Sequence, residues 1–319
     1  MLNEIPSLDL SRFTSGSSEE KQAFVKELGD IYKEIGFVSV RNHGFDHELE
    51  AKLYAVLKKF FALPDEVKEK YDGSAFGGQR GYTGKGKEHA AGRTVGDLKE
   101  FYHVGKHIPG SNEISYAANI WPEEVSEMEA ICEEAYQQLE NVGKTMLSAL
   151  ALYLNLEEDY FDQKVDRAIS ILRPIHYFPI EDVSQIEEGA VRAAEHGDIN
   201  LITLLMGASA EGLQVKRRDG QWIPITAVPG QLVVNVGDML ERLTNGVLRS
   251  TIHRVVNPPV EKLKEPRYSI PFFMHANPDT KLDCLSSCIS ADNPKQFEDI
   301  TAGEFLHQRL VEIGLIKEK

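Results

Sequence analysis

The chain of 319 residues is 42% hydrophobic and 27% charged, which is the composition of an ordinary globular protein. Its net charge of −15 argues against a binding surface for nucleic acid or for an anionic membrane, because both partners are polyanions. The chain does not open with a basic segment followed by an apolar one, and no apolar run approaches the ~20 residues of a membrane span. We therefore expect a cytoplasmic protein. Three cysteines are too few for a disulfide framework, which indicates reduced thiols.

The pattern of the first 120 residues is mainly helical. Apolar residues recur at helical spacing from about 18 to 36 and again from 46 to 62. Ser17 or Ser18 can cap the first of these helices, which we expect to end near Gly36 before a short buried strand. We treat residues 1–120 as an N-terminal region that packs with residues 121–319 into one compact unit.

A glycine-rich segment, residues 73–92, follows the second predicted helix. Its Gly84-Lys85-Gly86 sequence suggests a phosphate-binding loop, but that motif needs glycine where Gln79 stands and Ser or Thr after the lysine. We instead predict a mobile loop of the kind that closes over an active site.

A long helix is predicted over residues 122–154, where apolar residues step by three and four along one stripe. We expect one helix that packs along a sheet rather than a coiled coil, because ordered charges beside the stripe are missing. From about residue 168 onward, short apolar runs alternate with turn signals, which is typical of an antiparallel sandwich or jelly roll. A last helix is expected over residues 302–313. The predicted class is α+β.

Three residues of the β-rich half form a candidate metal site. In an extended segment, His196 and Asp198 point to the same face and can bind one ion, although this spacing often arises by chance. His253 lies in a strand-like run 55 residues later, where a single histidine is more often a core residue than a ligand. Together, two imidazoles and one carboxylate make the ligand set of non-haem Fe(II) oxygenases, which leaves metal positions open for a co-substrate and O2.

A candidate carboxylate-binding pair follows 14 residues after His253. Arg267 and Ser269 share one face of a predicted strand, where a guanidinium can grip a carboxylate with two hydrogen bonds and the hydroxyl can add a third. The alternative is a surface arginine at a strand end. The apolar residues that follow favour a buried, paired arginine.

The ordered set His196-x-Asp198, His253 and Arg267-x-Ser269 resembles the isopenicillin N synthase-like family of 2-oxoglutarate- and Fe(II)-dependent dioxygenases. The resemblance extends over nearly the whole chain. Further segments that resemble the family lie at residues 5–10, 36–44, 60–64, 80–82, 97–101, 119–122, 201–205 and 237–246.

This resemblance implies a double-stranded β-helix (jelly-roll) core with flanking helices, one of them the long backing helix. It implies that His196, Asp198 and His253 hold Fe(II), and that Arg267, Ser269 and Tyr177 bind the far carboxylate of 2-oxoglutarate. The implied enzyme hydroxylates, desaturates or cyclises a small molecule while 2-oxoglutarate and O2 become succinate and CO2. Residues of the implied substrate pocket are Arg80, Tyr82 and Phe101.

Two departures from the family pattern bear on the site. Many members carry asparagine where this chain has His176, which puts a co-substrate contact in doubt. Ile199 and Asn200 replace an aromatic residue or threonine followed by glycine, close to the metal. Two alternatives therefore stay open: an Fe(II) oxidase of the same fold that does not use 2-oxoglutarate, and a metal-binding jelly roll without turnover. The sequence is silent on the oligomeric state and on the identity of the substrate.

Overall fold

The computed structural model describes residues 4–88, 95–110, 116–182, 184, 186, 190–207, 212–226 and 228–313. His89 and the end of the predicted glycine-rich loop, up to Gly92, lie outside these residues. Within the described residues, no helix combines the length and apolar character needed to cross a lipid bilayer.

The helices fall mostly where the apolar periodicity predicts them. A capping box between Ser17 and Glu20 begins the first long helix, and Thr301 and Glu304 form another at the last helix. Gly36, with a φ of +72°, follows the end of the first long helix. The helices are α1 (Ser11–Thr14), α2 (Ser18–Glu34), α3 (His47–Phe61), α4 (Asp65–Lys68), α5 (Met128–Tyr153), α6 (Asp162–Val165), α7 (Asp238–Leu243) and α8 (Ala302–Glu312).

Short strands dominate the second half, and several also lie in the first. The strands are β1 (Ser7–Asp9), β2 (Phe37–Arg41), β3 (Gly81–Thr83), β4 (Glu100–Gly105), β5 (Ile171–Leu172), β6 (Ile175–Tyr177), β7 (Ala193–His196), β8 (Ile202–Met206), β9 (Leu213–Lys216), β10 (Trp222–Pro224), β11 (Leu232–Val236), β12 (His253–Val255) and β13 (Arg267–Met274). Part of the glycine-rich segment is thus strand β3, paired with β4.

These strands form two sheets. The larger has the order β1-β2-β11-β8-β13-β5-β4-β3, with β6 joined to β13 and β4, and the smaller has the order β10-β9-β12-β7. Except for the parallel pair β1–β2, the paired strands run antiparallel. An apolar cluster that includes Phe37 and Val233 of the larger sheet and Val215 and Val255 of the smaller one joins the two sheets. The predicted α+β jelly roll is confirmed.

Helix α5 is the predicted backing helix. Its stripe is buried from end to end, and it contacts β13, β8 and β4 on the side of the larger sheet away from the smaller one. At Gly143 an added Cβ would lie 2.3 Å from the sulfur of Met274 on β13, so helix and sheet approach closely there. Helices α2 and α3 pack against the same helix.

The alternation of side chains on β13 connects this packing to a cavity. Ile270, Phe272 and Met274 face the helices, whereas Arg267, Ser269, Pro271 and Phe273 line the opposite face of the strand. The division into regions 1–120 and 121–319 stays a prediction, although β1 and β2 of the first region extend the sheet of the second.

Candidate active site

Three ligand-type side chains converge between the two sheets. His196 ends β7 and His253 begins β12, and the two residues lie directly opposite each other in the antiparallel pair. Asp198 follows β7, and its Oδ1 lies 3.9 Å from His196 Nε2 and 3.6 Å from His253 Nε2. One ligand atom from each of the three side chains lies within 4.8 Å of the others. This spacing suits a single metal ion.

The backbone orients both imidazoles. His196 Nδ1 lies 2.7 Å from the carbonyl oxygen of Ala194, and His253 Nδ1 lies 3.2 Å from that of Thr251. Because a carbonyl oxygen only accepts, each Nδ1 carries the proton and each Nε2 keeps its lone pair for a metal.

A second set of hydrogen bonds orients the carboxylate. Oδ2 of Asp198 accepts from the hydroxyl of Thr203 at 2.6 Å and from the amide of Asn235 at 2.8 Å. The amide of Asn200 donates to the Thr203 oxygen at 2.9 Å, which leaves the hydroxyl proton for Asp198. Oδ1 therefore remains turned towards the histidines. Asn200, one of the departures from the family pattern, belongs to this support.

The electrostatics of the three residues favour their ligating forms. Burial, followed by the neighbouring His253, lowers the pKa of His196 to about 4, so the imidazole is neutral near pH 7. Burial alone would raise the pKa of Asp198, but the two histidines and the hydrogen bonds to Oδ2 lower it overall. Neutral imidazoles and a carboxylate are the donor set expected for Fe(II), so the residues present fit that metal.

The predicted carboxylate-binding residues lie along the same cavity. Arg267 is paired with Tyr177 across β13 and β6, and its guanidinium lies 4.6 Å from the centre of the tyrosine ring. Arg267 is 1% exposed, and Ser269 is also buried. Arg192 lies above the same ring, and its pKa is lowered by burial and then by the charge of Arg267. Two buried guanidinium groups so close together favour an anion beside them.

His176 points away from this cavity. Its Nδ1 lies 2.7 Å from a carboxylate oxygen of Glu100, and its ring stacks on Tyr268 at 4.8 Å. The neighbouring Tyr177 has the opposite orientation, as expected for successive residues of a strand. Among the residues that line the described cavity His176 is absent, so this departure does not alter the wall on which Arg267 lies.

The cavity has a volume of about 330 Å³ and contains the three candidate metal ligands. One wall of the cavity is formed by Tyr177, Arg267 and Ser269. The cavity is also lined by residues that no sequence motif marks as part of it; they include Glu88, Asp97, Lys99, His103, Arg173, Phe273, His275, Leu306 and Leu310. Alternation along β13 from Arg267 is the signal that could have indicated Phe273 and His275.

The residues predicted to form the substrate pocket lie elsewhere. Arg80 donates hydrogen bonds to the backbone carbonyl oxygens of Ala117, Gln79 and Lys106. Tyr82 donates to Glu100 inside the core. Phe101 packs against the guanidinium of Arg173 from outside the cavity. None of Arg80, Tyr82 and Phe101 is among the described residues that line the cavity, which indicates structural roles.

Comparisons with known proteins agree with this geometry. A family model described as "non-haem dioxygenase in morphine synthesis N-terminal" matches residues 5–124, and that of the 2OG-Fe(II) oxygenase superfamily matches residues 170–276. A 2-oxoglutarate-Fe(II) type oxidoreductase of Emericella nidulans, hxnY, is 31% identical over 94% of this chain and 88% of its own.

Solved structures are similar over almost the whole chain. A protein of Caulobacter crescentus described as belonging to the 2OG-Fe(II) oxygenase family is 43% identical, with a TM-score of 0.86 over 97% of this chain and 99% of the other. A full-length Neurospora crassa protein, solved in complex with alpha-KG and thymine, is 31% identical, with a TM-score of 0.86 over 96% of each chain. The chain therefore belongs to the 2OG-Fe(II) oxygenase superfamily. It is an Fe(II)- and 2-oxoglutarate-dependent oxygenase.

Proposed function

We propose that His196 Nε2, Asp198 Oδ1 and His253 Nε2 hold the Fe(II) of this oxygenase, and that Arg267 and Ser269 bind the far carboxylate of 2-oxoglutarate. The observation that carries the proposal is the convergence of these three ligand atoms within 4.8 Å. Each is oriented by a hydrogen bond at the second polar atom of the same side chain, which is Nδ1 of each histidine and Oδ2 of Asp198. The substrate is a small molecule that is hydroxylated, desaturated or cyclised.

Bound Fe(II) and 2-oxoglutarate supply the oxidising chemistry, in which O2 and 2-oxoglutarate become succinate and CO2 while the substrate is oxidised. The protein places the reactants. Arg267 offers a rigid planar donor group to a carboxylate, and the Tyr177 ring beneath it keeps the guanidinium in position. Ser269 adds a hydroxyl donor from the same face of β13.

Apolar side chains exclude water from the centre of the cavity. Leu205 and Pro271 line it, and Phe37 packs against the ring of His253 with a centroid separation of 5.4 Å. A dry centre strengthens the ionic contacts at both sides and protects reactive species from side reactions with water. The net charge of −15 supports a small-molecule substrate rather than a nucleic acid, and a cytoplasmic location remains part of the proposal.

The test begins with anaerobic protein to which Fe(II) and 2-oxoglutarate are added. Chelation of the oxo acid is followed by its visible charge-transfer absorption, and succinate is measured after O2 is admitted. His196→Ala should abolish both signals. Arg267→Ala should reach half-maximal absorption only at a 2-oxoglutarate concentration at least about 30-fold higher, because removal of one partner of a buried charge pair costs about 2 kcal/mol or more.

Two matched variants control for the substitutions themselves. His47→Ala removes an exposed imidazole, and Arg12→Ala removes a partly exposed guanidinium of a surface ion pair. Both should behave like the wild type. An unchanged 2-oxoglutarate requirement in Arg267→Ala would contradict the proposed anchor, and a normal absorption band in His196→Ala would contradict the proposed ligand set.

A further inference from the structure

The cavity extends well beyond the residues proposed to bind 2-oxoglutarate. Phe273 lies six residues from Arg267 on the same face of β13, which is about 20 Å of strand and more than a five-carbon diacid can span. We call Arg173, Phe273 and His275 the substrate end. All three line the cavity, and the backbone N–H of Arg173 donates to Pro271 on the adjacent strand.

Arg173 is held firmly at this end. Its Nε–H donates to His103 Nε2, whose other nitrogen donates to the carbonyl oxygen of Gly78. Nη1 donates to Glu88 at 3.2 Å, and the guanidinium lies 4.5 Å from the ring centre of Phe101 and 5.0 Å from that of Phe273. The side chain is 15% exposed. Among the described residues, Nη2 makes no hydrogen bond, so a fixed donor remains for a ligand.

His275 provides a second polar group with unused capacity. The residue is 6% exposed, and its Nδ1 is buried with no hydrogen-bond partner among the described residues. It directly follows the last residue of β13 and lines the same cavity as Arg173 and Phe273. A buried polar group without a partner is costly, and a ligand that supplies the partner removes that cost.

The charges of the ion-pair cluster that includes Arg173 are balanced before any substrate binds. Lys99 lies 2.8 Å from Glu88 and 2.9 Å from Asp97, and Glu88 also pairs with Arg173. Two cations thus face two anions. A substrate carboxylate buried beside Arg173 would therefore lack compensation, which is strongly unfavourable.

The cavity is also small. Its volume of about 330 Å³ lies at the lower end of the range for ligand pockets, and the co-substrate occupies part of it. The substrate end therefore has room for a compound of about one ring. The ring of Phe273 offers it an apolar wall.

We propose that the substrate is a small uncharged ring compound with an amide- or lactam-type carbonyl, which accepts a hydrogen bond from Arg173 Nη2 and lies beside Phe273 and His275. The proposal rests on the proposed function, because it assigns 2-oxoglutarate to the opposite end of the cavity.

The experiment uses the anaerobic protein loaded with Fe(II) and 2-oxoglutarate, after the absorption of the chelated oxo acid has been verified. Dissociation constants are measured by equilibrium dialysis for matched pairs of nearly equal shape: benzamide and benzoate, nicotinamide and nicotinate, and cyclohexanecarboxamide and cyclohexanecarboxylate. At least one uncharged compound should bind, and at least tenfold more tightly than its carboxylate partner.

Substitutions of Arg173 and Glu88 should then have different effects. Arg173→Gln should weaken binding of the uncharged compound at least tenfold, whereas Arg167→Gln, at an exposed arginine, should not. Glu88→Gln leaves an excess of positive charge and should change the ratio of the two dissociation constants at least tenfold in favour of the carboxylate. This reversal cannot result from a general loss of folding.

The proposal would be overturned if no uncharged compound bound, if carboxylates bound as tightly in the wild type, or if Arg173→Gln left binding unchanged. These outcomes are distinct from a failure of the proposed function. If the proposed function were wrong, the absorption of the chelated oxo acid would already be missing before any ring compound was added.

Discussion

The support of Asp198 by Thr203 offers a quantitative test of the metal site. Thr203→Val preserves the shape of the side chain but removes the hydrogen bond of 2.6 Å to Asp198 and the acceptor of the 2.9 Å bond from Asn200. A hydrogen bond to a charged group contributes about 1.5–3 kcal/mol, and the loss of such a supporting partner typically weakens metal binding about 10- to 100-fold. Because Asn235 still donates to the same oxygen, we expect a loss nearer to tenfold.

The loss is measured by anaerobic Fe(II) titration at saturating 2-oxoglutarate, with the visible absorption of the chelate as the signal. Thr145→Val is the matched control, since among the described residues the Thr145 hydroxyl bonds only to the backbone of its own helix. A wild-type affinity in Thr203→Val would refute the reasoning, and an equal loss in both variants would assign the effect to general destabilisation. Melting temperatures of both proteins show whether they are folded.

Three further predictions concern stability, pH and the co-substrate. Gly36 and Gly44 both have a positive φ, of +72° and +81°. An alanine Cβ at Gly36 would lie 2.1 Å from a backbone oxygen, whereas nothing lies within 4 Å of one at Gly44. In urea unfolding, Gly36→Ala should therefore lose about 1–3 kcal/mol more than Gly44→Ala, and equal losses would show that the close approach is relieved. Burial lowers the pKa of His103 well below 6.5, so below this pH the unfolded chain binds a proton at His103 that the folded protein does not bind. As the pH decreases below 6.5, His103 therefore lowers the free energy of unfolding by up to about 1.4 kcal/mol per pH unit. His103→Asn should remove this contribution, and an unchanged dependence on pH would contradict the prediction. Tyr177→Phe keeps the ring beside Arg267 but lacks the hydroxyl, so the half-saturating 2-oxoglutarate concentration should rise about 2- to 10-fold, and no rise would mean that the hydroxyl makes no contact.

Local patterns in the sequence predicted most of the elements. An Asp-Gly pair between two strand-like runs is typical of a hairpin, and β9 and β10 do pair across Asp219-Gly220, where Gly220 has a φ of +82°. Apolar periodicity predicted the long helix within a few residues at its C-terminal end, but its first turn is displaced to Met128 by a short 3-10 turn. Such features depend on residues that are close together in the chain.

Long-range pairing was not predictable from these patterns. Nothing in the sequence around His253 indicates that β12 lies opposite His196, and this register is what brings the two imidazoles together. The substrate pocket shows the same difficulty. An arginine before Gly-Tyr gave no sign that its guanidinium would bind three backbone carbonyl oxygens, whereas Arg173, beside a short strand, lacked any local motif that marked it as part of the cavity.

The position of β2 between β1 and β11 has a practical consequence. A polypeptide that began at residue 121 would retain the proposed metal ligands and the 2-oxoglutarate anchor. It would also leave β11, whose five residues are all buried, without its neighbour on one side. An unprotected apolar edge strand is a template for pairing with other chains, so the shortened protein should aggregate rather than yield a minimal catalyst. Strands β1 and β2 therefore keep the protein soluble, although they contribute few side chains to the site.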